Sequence, residues 1–179
     1  MNPLYKQVKN WSIIIFLCIT ALIFYGVFHE NRNGILKIAF LDIGQGDAIF
    51  IESPTGNQIL VDSGPNKIIL PALGRIMPFY DRSLDAILAT HPDADHVGGF
   101  PSVLKNYIVG EYFYNGATGT TAIFAEVEKE VRDKKIKTHI ARRGEIIDIG
   151  GGAYLSILYP DRNPQGKDTN EYSIASGSF

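Results

Sequence analysis

The sequence predicts an α/β domain in which helices cover the surfaces of a sheet, carried behind one transmembrane helix. Three observations predict it. An uncharged apolar run stands near the N-terminus, three β-rich segments separated by turn residues follow it, and strand-like and helical segments then alternate. The 179 residues, 45% hydrophobic and 20% charged, suffice for one globular domain and a short appendage. With 17 Lys and Arg against 19 Asp and Glu, the net charge of −2 argues against a globally polycationic nucleic-acid binder and leaves only a local basic groove open. The single cysteine, Cys18, lies in the apolar run, so an intrachain disulfide and a thiolate zinc cage are both excluded. Any metal must be held by nitrogen and oxygen.

Residues 11–28, WSIIIFLCITALIFYGVF, carry no charge and have the length that just spans a bilayer core. No small-x-small cleavage site follows, and Phe16 and Leu17 before Cys18 are too bulky for lipoprotein processing, which favours a signal anchor over a cleaved signal. Lys6, Lys9 and the amino terminus precede the run, whereas His29, Glu30 and Arg32 after it carry little net charge. The positive-inside rule therefore keeps residues 1–10 cytoplasmic and places the linker 29–34 and the domain 35–179 outside. The expectation is a single-pass protein of the cell membrane with an extracytoplasmic C-terminal domain.

Within the domain, Ile35 to Ile43, Ala48 to Ser53 and Gln58 to Asp62 are rich in β-branched and aromatic residues. GQGD (Gly44 to Asp47) and PTGN (Pro54 to Asn57) separate them, which predicts an antiparallel meander delivering Asp62 to a strand tip. Ile68 to Met77 has helical spacing and stops before Pro78. LDAILAT, Leu84 to Thr90, suits a buried strand that ends directly on His91. A helix over Val97 to Tyr107 and a strand over Val109 to Tyr114 follow. Ala122 to Lys135 puts Ile123, Val127 and Val131 on one helical face and its charge run on a solvated one. A strand near Lys137 to Arg142 and a hairpin from Glu145 to Tyr159 around Gly150, Gly151 and Gly152 complete the order.

The run His91, Pro92, Asp93, Ala94, Asp95, His96 sits just past the buried strand, where a rigid backbone fixes side-chain directions and solvent still enters. Imidazole and carboxylate hold zinc, iron or manganese without sulfur, and four such groups occur within six residues. The bland alternative is an acidic turn capping the next helix, with Asp95 as N-cap and His91 half-buried. Two His and two Asp followed by Val97, Gly98 and Gly99 favour metal. Two ions side by side can clamp the attacking and leaving oxygens of phosphoryl or acyl transfer, so hydrolysis is the chemistry that follows.

This run resembles the His-x-His-x-Asp-His signature of metallo-β-lactamase-fold hydrolases, with Asp93 at the second His position. LDIGQGDAIFIESPTGNQILVDSG together with LATHPDADHVGG is similar to the metallo-β-lactamase-like domain of the ComEC family of DNA-uptake competence proteins, over about Leu36 to Ser173. The resemblance implies an αββα sandwich of two sheets between helices, a metal centre at one edge, and hydrolysis of DNA phosphodiesters outside the membrane. It assigns His91 and Asp93 to a first metal and Asp95 and His96 to a second, with Asp95 also positioning the nucleophilic water and Asp62 supporting the loop. Asp93 in place of an imidazole brings manganese level with zinc as the expected ion. Gln45 and Asp47 belong to the resembling pattern and either reach the site or serve only the turn.

The family pattern continues with a strand ending in Gly-Asp, whose carboxylate bridges the metals, and with a further His. Neither occurs in these 179 residues, which predicts a domain truncated at its C-terminal side. His139, in the cationic strand KTHIARR, is expected to be an exposed strand residue, and Asp168 or Asn170 is a distant candidate ligand. The alternatives are a metal-dependent hydrolase of DNA, a membrane-anchored metal- or DNA-binding module without turnover, and a hydrolase of a small ester, lactone or thioester. With one membrane segment, an uptake role would need a separate DNA-translocation channel as partner.

Overall fold

The structure is a computed structural model that describes residues 3–30, 34–117, 119, 121–161 and 172–178. Residues Met1–Asn33 and Gly34–Phe179 form two units.

The first unit holds helix α1, Pro3–Glu30. Its described side chains run from Asn10 to Gly26, and large apolar ones such as Ile15, Phe16, Leu22 and Phe24 are exposed. Among the described residues no helix is long and apolar enough to cross a membrane. The expected transmembrane helix over 11–28 is thus helical as anticipated but is not supported as a membrane span.

The second unit has three layers. Its large sheet is ordered β1 (Lys37–Phe40), β2 (Ile49–Glu52), β3 (Gln58–Val61), β4 (Ser83–Ala89), β5 (Ile108–Tyr114) and β6 (Lys137–Ile140). The first three strands form the antiparallel meander the turn residues predict, and β3 to β6 pair in parallel. Helices α2 (Ile69–Ile76), α4 (Phe100–Asn106) and α5 (Ala122–Asp133) cover one face. Leu73, Val103, Leu104, Phe124 and Val127 from these helices pack on Phe50, Leu60, Ile87 and Tyr112 of the sheet. A second sheet, β7 (Ile146–Gly150), β8 (Ala153–Tyr159) and β9 (Ala175–Ser178), covers the other face. Ile149, Leu155 and Ile157 meet Ile51, Ile59, Val61, Leu88 and Phe113 between the sheets. Burial on both faces explains why β3 and β4 read as continuous apolar runs rather than alternating ones. The αββα expectation holds for a helical layer and two sheets; the described residues supply no helix for the outer face of the second sheet.

Three boundaries differ from expectation for physical reasons. The first strand ends at Phe40, after which the chain turns inward to bury Ile43 beneath Gly64, where a Cβ would meet the Ile43 side chain. The helix expected over 97–107 is two helices, α3 (Ala94–Val97) and α4, broken at Gly98 and Gly99. A Cβ on either glycine would collide with the backbone oxygens of Pro65 or Ser63, so the pair exists to bring the two loops into contact. Asp93, not Asp95, stands at the N-cap of α3, and its side chain makes no capping bond. His139 is half-buried rather than exposed: it stacks on Phe113, ring centroids 4.6 Å apart. Its Nε2 lies 3.2 Å from Glu111 Oε2 without the alignment of a hydrogen bond.

Candidate metal centre

The C-terminal tips of β3 and β4 deliver the two loops that build the site. Asp62 follows β3 directly, buried and at φ 56°, a left-handed conformation that Asp tolerates better than most residues. Its amide still donates to Leu88 O, continuing the β3–β4 ladder for one residue, and the left-handed turn then aims the carboxylate across the tip of β4. There it accepts three hydrogen bonds: Thr90 N at 2.8 Å on Oδ1, and Thr90 Oγ1 at 2.6 Å and His96 Nδ1 at 2.8 Å on Oδ2. The same loop clamps the metal run a second time, since Ser63 N and Ser63 Oγ both donate to His96 O.

These bonds fix both imidazole tautomers. A carboxylate only accepts, so Thr90 Oγ1 and His96 Nδ1 must each donate to Asp62. Having spent its proton on Asp62, Thr90 Oγ1 can only accept from His91 Nδ1, 2.9 Å away; Ser173 Oγ lies 2.8 Å from the same nitrogen. Each neutral ring therefore carries its hydrogen on Nδ1 and presents a lone pair at Nε2. The rings lie side by side, centroids 3.9 Å apart. His91 Nε2 is 3.6 Å from Asp93 Oδ2, and His96 Nε2 is 3.9 Å from Asp95 Oδ2.

The electrostatics separate the two histidines. Burial and the neighbouring His96 lower the His91 pKa from the ordinary 6.5, against the pull of Asp62, Asp93 and Asp95. Burial also opposes the charge of His96, but the hydrogen bond and charge of Asp62, with Asp95 and Asp47, outweigh it and raise its pKa. His96 thus stabilises the metal-free fold through its proton below the unfolded value near 6.5, and that contribution is lost as pH rises through the higher folded value. His91 acts in the opposite sense: stability is lost as pH falls from 6.5 through its lowered folded value. The expected result is a metal-free site in which, near pH 6.5, His96 is the more protonated of the two histidines. Ring-proton NMR titration should show the two midpoints on opposite sides of the ordinary value; coincident midpoints contradict the Asp62 bond.

Among the described residues no group of three or more His, Cys, Asp or Glu side chains converges as a metal cage. What the site offers is two imidazole–carboxylate pairs. Ligands about 2.1 Å from one ion at a tetrahedral angle stand roughly 3.4 Å apart, so the His91–Asp93 spacing of 3.6 Å lies within a few tenths of an ångström of a shared ion. With both Nδ1 atoms hydrogen-bonded and each Nε2 facing a carboxylate, the donor chemistry fits divalent metal. Asp93 is half-buried and Asp95 exposed at the rim.

The remaining expected residues divide. Asp47 acts on His96 through its charge, and its carbonyl accepts from Gly64 N, so the GQGD turn joins the site. Gln45 is exposed, and among the described residues no hydrogen bond brings it to the others. Gly46 shows how tightly this turn packs: its φ is 74°, and a Cβ there would come within 1.8 Å of Asp95 O. Gly46→Ala is expected to cost about 2–4 kcal/mol, from the left-handed backbone and the displaced metal run. Urea denaturation checks it, and a loss under 1 kcal/mol would mean the turn does not hold the run. Asp168 and Asn170 lie outside the described residues. Thr90 and Ser173 were not anticipated. Thr90 is adjacent to the run, but Ser173 lies 82 positions beyond His91 and reaches it because Ile174 N bonds to Thr90 O.

The sequence pattern of the metallo-beta-lactamase superfamily matches residues 41–170. Among curated relatives, ComE operon protein 3 of Bacillus subtilis (strain 168) is 25% identical over 63% of this chain and 17% of its own length. Hydroxyacylglutathione hydrolase of Synechococcus sp. (strain CC9902) is 27% identical over 72% of this chain and 49% of its own. The chain thus spans half or less of the length of these relatives. Among solved structures, the metallo-beta-lactamase SMB-1 bound to 2-mercaptoethanesulfonate is similar in fold, at TM-score 0.50 and 19% identity, covering 68% of this chain and 49% of that one. With three-quarters of its length matched and the imidazole–carboxylate run at the strand tips, this chain belongs to the metallo-beta-lactamase superfamily.

Proposed function

We propose that this protein is a metal-dependent hydrolase that cleaves DNA phosphodiesters on the outer side of a membrane, to which residues 11–28 tether it. The observation that carries the hydrolase reading is the pair of Nε2 atoms, each beside a carboxylate and each on a ring held at its Nδ1. His91 and Asp93 would hold one divalent ion, and Asp95 and His96 a second, zinc or manganese. Such ions, when bound, polarise the scissile group and lower the pKa of water. Asp62 orients His96 and offsets its charge, Thr90 and Ser173 orient His91, and exposed Asp95 is placed to hold the attacking water. The DNA reading is supported by the ComEC resemblance of the metal run and by similarity to ComE operon protein 3. The tether is supported by the uncharged run of residues 11–28.

A second reading, hydrolysis of a small thioester, is favoured by the similarity to hydroxyacylglutathione hydrolase. A third, a metal- or DNA-binding module without turnover, is favoured by the open, two-by-two donor set. The test is the full chain in detergent, supplied with manganese or zinc and offered single-stranded DNA, duplex DNA and a glutathione thioester. Cleavage of DNA that chelator abolishes and metal restores supports the proposal. Turnover of the thioester alone establishes the second reading, and bound metal without turnover of any substrate establishes the third.

A further inference from the structure

We propose that Asn115, at the tip of β5, is a positioning residue for His91: its side-chain amide holds the Tyr172–Ser173 peptide so that the Ser173 hydroxyl stays on the His91 ring. This rests on the metal-binding reading of the proposed function and deepens it by adding a support for the imidazole of the first ion. Strands β4 and β5 run parallel with Ala89 beside Tyr114, so Thr90 and Asn115, the next residues, stand side by side past the strand ends. The segment Tyr172, Ser173, Ile174 crosses both tips. Ile174 N donates to Thr90 O at 3.0 Å, and Asn115 Nδ2 donates to Tyr172 O at 3.0 Å. Ser173 is the residue between these two anchors, and its Oγ lies 2.8 Å from His91 Nδ1.

Burial and the use of both ends of its amide suit Asn115 to this task. The residue is 1% exposed; its Oδ1 accepts from Ala117 N at 2.9 Å, and its own carbonyl accepts from Arg142 Nη1 at 2.6 Å. The Oδ1 bond is a local turn that aspartate makes as well as asparagine. The Nδ2 bond is different in kind. Its partner lies 57 positions further along the chain, and a carboxylate, which only accepts, cannot make it. A turn alone therefore gives no reason for an amide here, whereas a clamp on Tyr172 O requires one.

The two anchors are complementary. On one side of Ser173 the Ile174 side chain is buried between the sheets, so packing and a backbone bond fix that end together. On the other side Asn115 sets the orientation of the Tyr172–Ser173 peptide. An ion on His91 Nε2 requires the hydrogen on Nδ1, and Thr90 Oγ1 and Ser173 Oγ are the two acceptors facing that atom. Without the amide of Asn115 the peptide turns, Ser173 Oγ leaves, and the ring keeps Thr90 alone.

The test uses the full chain in detergent and zinc alone, titrated in competition with a chromophoric chelator. Asn115→Asp keeps Oδ1 for Ala117 N and removes the donor to Tyr172 O. Asn115→Ser has a hydroxyl for the turn but is too short for Tyr172 O, and so repeats the loss without a new charge. Both variants should remain folded in urea denaturation and bind zinc about tenfold more weakly at the site His91 serves, with the second equivalent unmoved. Ser173→Ala should weaken the same equivalent by a similar factor, and adding Asn115→Asp to it should weaken it no further, because the amide acts through that hydroxyl. In the metal-free chain the His91 Nδ1–H resonance should move in each Asn115 variant while that of His96 stays in place. Losses that multiply in the double variant, or zinc affinity unchanged in folded Asn115→Asp and Asn115→Ser, overturn the positioning role and leave the metal site standing. An unaltered chain that takes up no zinc sinks the metal reading itself, and this proposal with it.

Discussion

Replacing Asp62 by asparagine is expected to lower divalent-metal affinity about 10- to 100-fold while leaving the domain folded. Asparagine keeps a carbonyl oxygen for Thr90 N and tolerates the left-handed φ of 56°, so the backbone at the tip of β3 survives. It removes the charge that raises the His96 pKa and cannot accept at Oδ2 from both Thr90 Oγ1 and His96 Nδ1. The His96 ring loses its fixed tautomer, and the loss passes through Thr90 to His91. Asp62→Ala goes further. It strands the half-buried Thr90 amide and hydroxyl and the His96 Nδ1, and it puts a Cβ residue without a compensating polar group in a left-handed conformation. A loss of about 3–5 kcal/mol in stability is expected. Urea denaturation of both variants beside metal titration by calorimetry separates the two effects. An Asp62→Asn protein that binds metal as tightly as the unaltered chain would show that the carboxylate supports only the fold.

The difference between these two variants reflects what was legible in the sequence. The meander, the buried strand at Leu84 to Thr90 and the helical faces followed from period and turn chemistry, because each is decided within about ten residues. The imidazole–carboxylate run was noticeable for the same reason: four potential donors within six residues at the end of an apolar strand need no distant partner to stand out. Asp62 was readable as a strand tip, but its three hydrogen bonds were not, since they depend on β3 pairing in parallel with β4 through a crossover. Ser173 carried no local signal at all, and its role arises from the pairing of Ile174 with Thr90. The Gly98–Gly99 break was hidden because helical periodicity continues through it; only contact with the loop of Ser63 and Pro65 shows why side chains are forbidden there. Gln45 shows the converse, a residue inside a matching pattern that the fold leaves in solvent.

The largest loss of activity is expected from His91→Ala. His91 is buried, so removing its ring opens a cavity at the strand tip and frees Thr90 and Ser173, yet its chief effect is to delete one of the two Nε2 donors. If a bound ion supplies several kcal/mol of transition-state stabilisation, hydrolysis should fall by roughly a thousandfold or more. Asp95→Ala supplies the contrast. Its carboxylate is exposed and 3.9 Å from His96 Nε2, so the fold should be unmoved, while a role in holding both the second ion and the attacking water predicts a loss of at least about a hundredfold. Measuring bound metal by mass spectrometry alongside kcat separates these roles. Loss of about half the metal in each variant, with kcat reduced in both, fits two ions held by the two imidazole–carboxylate pairs. Full metal retention with unchanged kcat in Asp95→Ala would remove that residue from the chemistry, leaving His91, Asp93 and His96 as the donors of a single ion.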